Sequence, residues 1–383
     1  MQEGETMIKI MCIFGTRPEA VKMAPVILEM KRRKGEIESL ICVTAQHREM
    51  LDSVLETFHI TPDYDLNIMR QSQTPESVTG TILRGLDNVL KKEKPDMVLV
   101  HGDTTTTFAS ALSAFYNKIP VGHVEAGLRT YDLRSPYPEE ANRQMVSCIA
   151  ELHFTPTMQS LKNLLQENKD PGKIFVTGNT SIDALKTTVK KEYDSPVLKW
   201  AGDCRIILLT AHRRENLGEP LKRIFTAVNK ITEKYGDVRV IYPCHPNPAV
   251  REMAGKMFGD NGSVQVIGPL EVTDFHNLIR KSYLVLTDSG GIQEEGPGLD
   301  RPVLVVRETT ERPEGVEAGT LRLVGTSVDN IVKQVGILLE DRDEYERMSK
   351  AENPYGDGRA SERIVNAVIR YFRGRESEEG IPA

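Results

Sequence analysis

Several things are missing from this chain of 383 residues, and each absence narrows its class. No apolar run approaches the length needed to span a bilayer, so a membrane protein is not expected. No basic excess exists: the net charge is −6, which argues against a general nucleic-acid binder. The opening stretch "MQEGETMIKIMCIFG" is acidic before its apolar part, unlike a secretory signal. Cysteine is sparse. Cys12, Cys42, Cys148, Cys204 and Cys244 are odd in number and show no C-x-x-C, so they read as small buried thiols of a reduced compartment, and a cytoplasmic location is expected. There is no H-E-x-x-H, no zinc-spaced Cys/His set and no G-x-x-x-x-G-K-[ST]; neither a metal nor a P-loop is indicated. Low-complexity segments and short internal repeats are absent too.

What remains is an ordinary globular composition, 39% hydrophobic and 27% charged. The length exceeds what a single core usually fills, so two domains are expected. Short apolar runs alternate with amphipathic stretches from end to end: "IKIMCIF", "SLICVTA", "DMVLVHGD", "PVGHVEAG" and "KIFVTGN", then "RIILLTAHR", "VRVIYPCHP", "VQVIGPL", "YLVLTDSG", "PVLVVR" and "LRLVG". The runs are continuous rather than alternating, as in parallel strands covered on both faces. The pattern predicts an α/β chain of Rossmann-like type. One domain is expected over 1–190 and a second over 191–360, with a helix in 361–383 packing back on the first. Ligands are expected where the strands of such domains end.

Chemically capable residues collect at those strand ends. The first run closes in "FGTRPEAVK", without G-x-G-x-x-G, so the dinucleotide fingerprint fails. It offers Arg17 and Lys22 instead, suited to an anion or, as plainly, to a helix start and a solvated lysine. "HGDTTTTFAS" brings Asp103, which is either an N-cap or a group facing the ligand. "HVEAGLRT" ends a buried-type strand in Glu125, and the loop after it carries Arg129, Arg134, Glu139, Glu140 and Arg143. Acids at the helix start "SPYPEE" account for one of the two glutamates. Three carboxylates from three segments suggest acid/base work, and one is expected to have a pKa raised by burial or by its neighbours. "TAHRREN" places His212, Arg213 and Arg214; His245 in "YPCHPNP" reads as structural, and "RETTERPEG" supplies Arg307 and Arg312. In "LTDSGGIQEE", Ser289, Gly290 and Gly291 before a helix predict an anion site. Two following carboxylates, Glu294 and Glu295, are odd beside a phosphate unless one of them takes a ribose hydroxyl.

Taken together, "GTRPEAVKMAPV", "AQHREML", "HGDTTT", "HVEAGLRT", "SPYPEEANR", "AHRREN", "TDSGGIQEE" and "TTERPEG" resemble the non-hydrolysing UDP-N-acetylglucosamine 2-epimerases, in the family's order and over most of the chain. The resemblance implies a GT-B fold of two Rossmann-like domains facing across a cleft and a homodimer. It also implies interconversion of UDP-N-acetylglucosamine and UDP-N-acetylmannosamine with no cofactor. It assigns uridine diphosphate contacts to Arg17, Lys22, Phe275, Ser289, Gly290, Gly291, Glu295 and Arg312, and catalytic positions to Asp103, Glu125, Glu139 and His212. Leu270 stands where the family has a glutamine near the uracil. Gln46 and His47 match an activator site for a second UDP-N-acetylglucosamine, but Glu49 and Ser72 replace a glutamine and an arginine there, which predicts weak activation. The competing readings are an epimerase of a related UDP-sugar, a hydrolysing 2-epimerase, a GT-B glycosyltransferase and a non-catalytic nucleotide-sugar sensor.

Overall fold

The computed structural model describes residues 7–45, 48–70 and 73–379. Residues up to Ala184 and from Gly356 onward form one compact unit, and Leu185–Tyr355 form another. The first unit holds β1 (Ile8–Phe14), β2 (Ile37–Val43), β3 (Tyr64–Asp65), β4 (Met97–His101), β5 (Val121–Val124), β6 (Leu152–Thr155) and β7 (Ile174–Val176). The second holds β8 (Arg205–Thr210), β9 (Val238–Pro243), β10 (Val264–Ile267), β11 (Leu284–Thr287), β12 (Val303–Val305) and β13 (Leu321–Leu323).

Both sheets are parallel and doubly wound. Their strand orders are β3-β2-β1-β4-β5-β6-β7 and β10-β9-β8-β11-β12-β13. The strand order reverses between β1 and β4 in the first sheet and between β8 and β11 in the second. A crevice opens at such a switch point, because the crossover helices leave to opposite faces. The residues just past β1 and β4, and just past β8 and β11, are therefore where each unit can hold a ligand.

The continuous apolar runs have the predicted cause. Ile10, Met11, Cys12, Ile13 and Phe14 are all fully buried in β1. In β8, Ile207 and Leu209 join an apolar layer with Phe225 and Tyr242, while Ile206 and Leu208 join a second layer with Ile241 and Val285. Alternate side chains feed opposite faces, and helices cover both. Two strands escaped the sequence reading. β3 has two residues, and β6 ("LHFT") carries a histidine in its middle. Cys12, Cys42 and Cys244 are buried, but Cys148 is exposed in the last turn of the helix Glu139–Ile149, so the buried-thiol reading fails there.

The helix Ala360–Glu379 packs on Arg17–Arg32. Asp183 caps it, accepting from the amides of Ala360 (3.1 Å) and Ser361 (2.8 Å). Ile364, Val365, Val368 and Ile369 are buried beneath it. Among the described residues no helix is long and apolar enough to cross a membrane.

Candidate active site

At the first switch point a buried carboxylate ties the two strand ends together. Glu19 is 2% exposed. Its Oε2 accepts from the amides of Gly15 (3.0 Å) and Thr16 (2.7 Å), and its Oε1 lies 2.6 and 3.0 Å from the hydroxyls of Thr104 and Thr107. Thr16-x-x-Glu19 is a capping box, a signal present in the sequence and passed over there. It fixes half-buried Arg17 as the first residue of its helix, with Lys22 further along the same helix.

Glu125 follows β5 with φ of +60°, a left-handed conformation uncommon for glutamate that surrounding structure must hold. Its side chain is 9% exposed. Oε2 takes a hydrogen bond from Lys22 Nζ and another from Asn179 Nδ2 (2.8 Å), and His101 Nε2 lies 3.6 Å away. A Cβ on Gly102 would stand 3.9 Å from Oε1, so the carboxylate lies beside the Gly102–Asp103 turn. Burial is the strongest influence on Glu125 and favours its neutral form, but Lys22 and His101 together outweigh it and hold the pKa well below the usual carboxylate range. The raised pKa anticipated within the carboxylate set is reversed at Glu125. Lys22, expected on a phosphate, stands here as the partner of a carboxylate.

Asp103 is not a helix cap. Gly102 turns the chain with φ of +70°, a conformation glycine adopts freely, and Thr104 caps Thr105–Tyr116 by accepting from the Thr107 amide. The carboxylate of Asp103 instead receives Arg143 (Nε 2.9 Å, Nη2 2.7 Å), and Asn142 Nδ2 donates to its backbone carbonyl (2.9 Å). His123 Nε2–H donates to the Gly102 carbonyl (2.7 Å), fixing the same turn from β5. Glu139 precedes Asn142 and Arg143 by three and four residues, so it shares their helix face, turned to Asp103.

The two neighbouring glutamates are thereby told apart. Glu140 is fully buried and accepts from the amides of Thr130 and Tyr131 (3.1 Å each), from Arg143 (3.1 Å) and from Gln144 (2.9 Å). It anchors the loop. Glu139 is only partly buried, and among the described residues no hydrogen bond to its carboxylate is found. Arg129, fully buried against Glu167 (2.6 Å), and exposed Arg134 lie outside this cluster.

At the second switch point the organiser is Asp288, immediately after β11. Its Oδ2 accepts from the amides of His212 and Arg213 (2.8 Å each) and from Asn216 Nδ2 (3.0 Å). His212 therefore has its backbone pinned, and its ring stacks on that of His245 with centroids 5.0 Å apart and planes 12° from parallel. His245 is more than a turn residue: it braces His212 while its Nδ1 accepts from the Asn247 amide (3.1 Å). A Cβ on Gly290 would stand 3.5 Å from Arg213 Nη2 and 3.8 Å from Arg312 Nη2, so two guanidinium groups flank this glycine.

The helix expected after Ser289-Gly290-Gly291 is a single turn, Ile292–Glu295, too short for an appreciable dipole. The Ser289 amide is already given to Thr287 Oγ1 (3.0 Å). The helix-terminus reading is corrected accordingly: positive charge comes from Arg213 and Arg312. The two carboxylates also separate. Glu294 is 2% exposed and holds Arg312 Nε at 2.5 Å, whereas the Glu295 side chain is less deeply buried, with His276 Nε2 at 3.5 Å and Thr188 Oγ1 behind His276 at 2.7 Å. Glu294 aims the arginine and Glu295 can meet a ligand. Phe275 and Leu270 pack, partly buried, on the apolar layer beneath. Arg307 is committed to Glu311 (2.7 Å) and Glu215 (3.1 Å). Gln46, His47 and Ser72 lie outside the described residues. Among the described residues no group of three His, Cys, Asp or Glu able to hold a metal ion occurs.

One unit thus carries carboxylates at its strand ends and the other a pair of guanidiniums beside a glycine turn. Two doubly wound Rossmann-like domains with these strand-end sites define an α/β protein of GT-B type. A profile of the UDP-N-acetylglucosamine 2-epimerases matches residues 29–369. The UDP-N-acetylglucosamine 2-epimerase of Bacillus subtilis (strain 168) is 59% identical over 371 residues, 97% of each chain. A crystal structure of a UDP-N-acetylglucosamine 2-epimerase is 57% identical, with a TM-score of 0.90 over 96% of this chain and 97% of that one. The Neisseria meningitidis enzyme, solved bound to UDP-N-acetylglucosamine, is 50% identical, with a TM-score of 0.86 over 95% of this chain and 100% of its own. The chain belongs to the UDP-N-acetylglucosamine 2-epimerase family.

Proposed function

We propose that this chain interconverts UDP-N-acetylglucosamine and UDP-N-acetylmannosamine without releasing free sugar, by eliminating UDP and adding it back. The substrate follows from the family and from the nucleotide sugar on the Neisseria relative. The observation that carries the mechanism is Glu125: buried, held ionised by Lys22, and one of three carboxylates in one unit.

The chemistry runs as follows. The C2 hydrogen of the sugar is not next to a carbonyl in the ring, so abstraction alone would leave a poorly stabilised carbanion. Oxidation of a neighbouring carbon would acidify it, but the turn after β1 is Gly15-Thr16-Arg17 and not a dinucleotide fingerprint. Elimination avoids both problems. A carboxylate takes the C2 proton, the C2–H electrons form the C1=C2 bond of 2-acetamidoglucal, and the C1–O electrons depart with UDP. Re-addition of UDP at C1 with a proton delivered to the opposite face of C2 gives the epimer. Asp103, Glu125 and Glu139 form the acid/base set, with ionised Glu125 suited to accepting a proton. Arg213 and Arg312, with His212, stabilise charge on the departing diphosphate, Ser289-Gly290-Gly291 let it approach the backbone, and Glu295 takes the ribose. Arg17 is a uridine diphosphate contact by the family resemblance alone, Lys22 keeps Glu125 ionised, and Phe275 lies under the nucleoside.

Proton NMR in deuterated buffer tests this reading. Incubated with UDP-N-acetylglucosamine alone, the protein should yield both epimers carrying deuterium at C2. Oxygen-18 in the C1–O–P bridge should scramble into non-bridging positions, and EDTA should change neither result. Full retention of C2 hydrogen with an unmoved bridge oxygen would refute elimination. Stoichiometric release of free N-acetylmannosamine would mark a hydrolase instead.

A further inference from the structure

Asp288 carries a charge that anchoring a loop does not require. The residue is fully buried, and its Oδ2 receives all three donors, the amides of His212 and Arg213 and the side chain of Asn216. Oδ1 is buried with no hydrogen-bond partner and lies 3.9 Å from His212 Nδ1. An asparagine carbonyl could accept the same three donors at no cost of burying a charge. A buried carboxylate oxygen left unpaired is costly and calls for a role.

The surroundings of His212 suggest which. Its ring plane is set by the stack on His245 and its backbone by Asp288, so Nδ1 faces Oδ1 with little freedom. Shortening the gap by about 1 Å would give a charge-assisted hydrogen bond, and such contacts commonly tighten only once substrate is bound. We infer that Asp288 is a positioning residue that makes His212 an imidazolium donor, with Nδ1–H on Oδ1 and Nε2–H presented to an oxygen of the substrate's diphosphate. The inference rests on the substrate proposed above. Nε2–H gives a hydrogen bond and no proton need transfer; a neutral ring bonded through Nδ1–H would turn a lone pair toward the phosphate.

The charge balance fits. Burial is the largest influence on His212 and lowers its pKa below the usual histidine value. His245 and Arg213 lower it further, and Asp288 alone opposes them. Arg307 also feels Asp288, but it is paired with Glu311 and Glu215. Because the free-state pKa is depressed, the imidazolium is lost as pH rises through it. A bound diphosphate favours the charged ring, so ligand binding should raise the pKa of His212.

The test is a pH titration of the His212 ring by NMR, assigned by its absence in H212Q, with and without saturating UDP-N-acetylglucosamine. In the native protein the titration should move to higher pH on adding ligand. In D288N it should move down by about one pH unit or more. The kcat loss in D288N should be at least about tenfold at pH 8 and should shrink as pH falls and more of the ring is protonated. H212Q should lack the alkaline limb. A folded D288N whose His212 titrates as in the native protein reduces Asp288 to a loop anchor and overturns the inference. Should D288N fail to fold, a native His212 titration unmoved by ligand overturns it equally. Loss of C2 exchange in the native protein would sink the epimerase reading while leaving this linkage measurable.

Discussion

Glu125 and Asp288 are both buried acids just past the end of a parallel strand, Glu125 after β5 beside the switch-point strand β4 and Asp288 after the switch-point strand β11, yet they are compensated differently. Glu125 receives a cation: Lys22 donates to its Oε2, Asn179 joins at 2.8 Å, and His101 stands behind at 3.6 Å. Asp288 receives only neutral N–H groups. A carboxylate neutralised by a lysine has its charge settled locally and keeps an oxygen for a substrate. One satisfied by dipoles alone still carries a net charge, felt by the next ionisable group, here His212. The kind of donor, more than the depth of burial, decides whether a buried acid reacts or instructs a neighbour.

The largest effect should come from removing the reactive acid. Glu125→Gln keeps the shape but not the base, and kcat should fall by about 10²–10⁴-fold, read by C2 deuterium incorporation. Lys22→Met probes the compensation itself. With the cation gone, burial would push the Glu125 pKa up, so the acid limb of kcat/KM should move to higher pH; an unmoved limb would show that Lys22 does not set that charge. On the second unit, Arg312→Ala should weaken UDP binding by at least about tenfold in calorimetry, since a hydrogen bond to a charged group contributes about 1.5–3 kcal/mol.

A smaller effect is expected at Glu140, compensated mainly by amides like Asp288 but with no ring to act on. Glu140→Gln should cost about 1–3 kcal/mol in urea unfolding at pH 7. Burial pushes the Glu140 pKa up, but its donors, led by Gln144 and the Thr130 amide, bring it below the usual value. Its stabilisation is therefore full above the unfolded carboxylate pKa and fades as pH falls through the folded one, and the gap between variant and native should narrow toward pH 4. Least of all, Gly290→Ala should leave the urea-unfolding stability within about 0.5 kcal/mol of native. Its new Cβ would make ordinary contacts at 3.5 and 3.8 Å with Arg213 and Arg312.

The sequence made the sheets legible because parallel strands buried on both faces are continuous apolar runs, and all six of the second unit stand out that way. β6 does not, because His153 interrupts four residues. Asp103, Glu125 and His212 were visible because a polar residue closing such a run has to emerge at a strand end. What stayed hidden was partnership. Lys22 and Glu125 are 103 residues apart, and Asp288 and His212 are 76 apart, so nothing local announces either pair. Glu294 and Glu295 looked alike in "GIQEE" for the same reason: which one holds Arg312 depends on where residue 312 returns. The short helix after Gly291 was overread because its length is ended by Gly296-Pro297, turn residues within the apparent helix.

The first unit is also discontinuous: its last helix, Ala360–Glu379, is capped by Asp183 and packed on Arg17–Arg32, yet it follows the whole of Leu185–Tyr355 in the chain. On a ribosome, the second unit can emerge complete and fold while the first still waits for its final piece. Until then the apolar bed for Ile364, Val365 and Val368 is bare, a surface open to chaperones or to another nascent chain. The N-terminal half of the gene is thus the half whose product matures last.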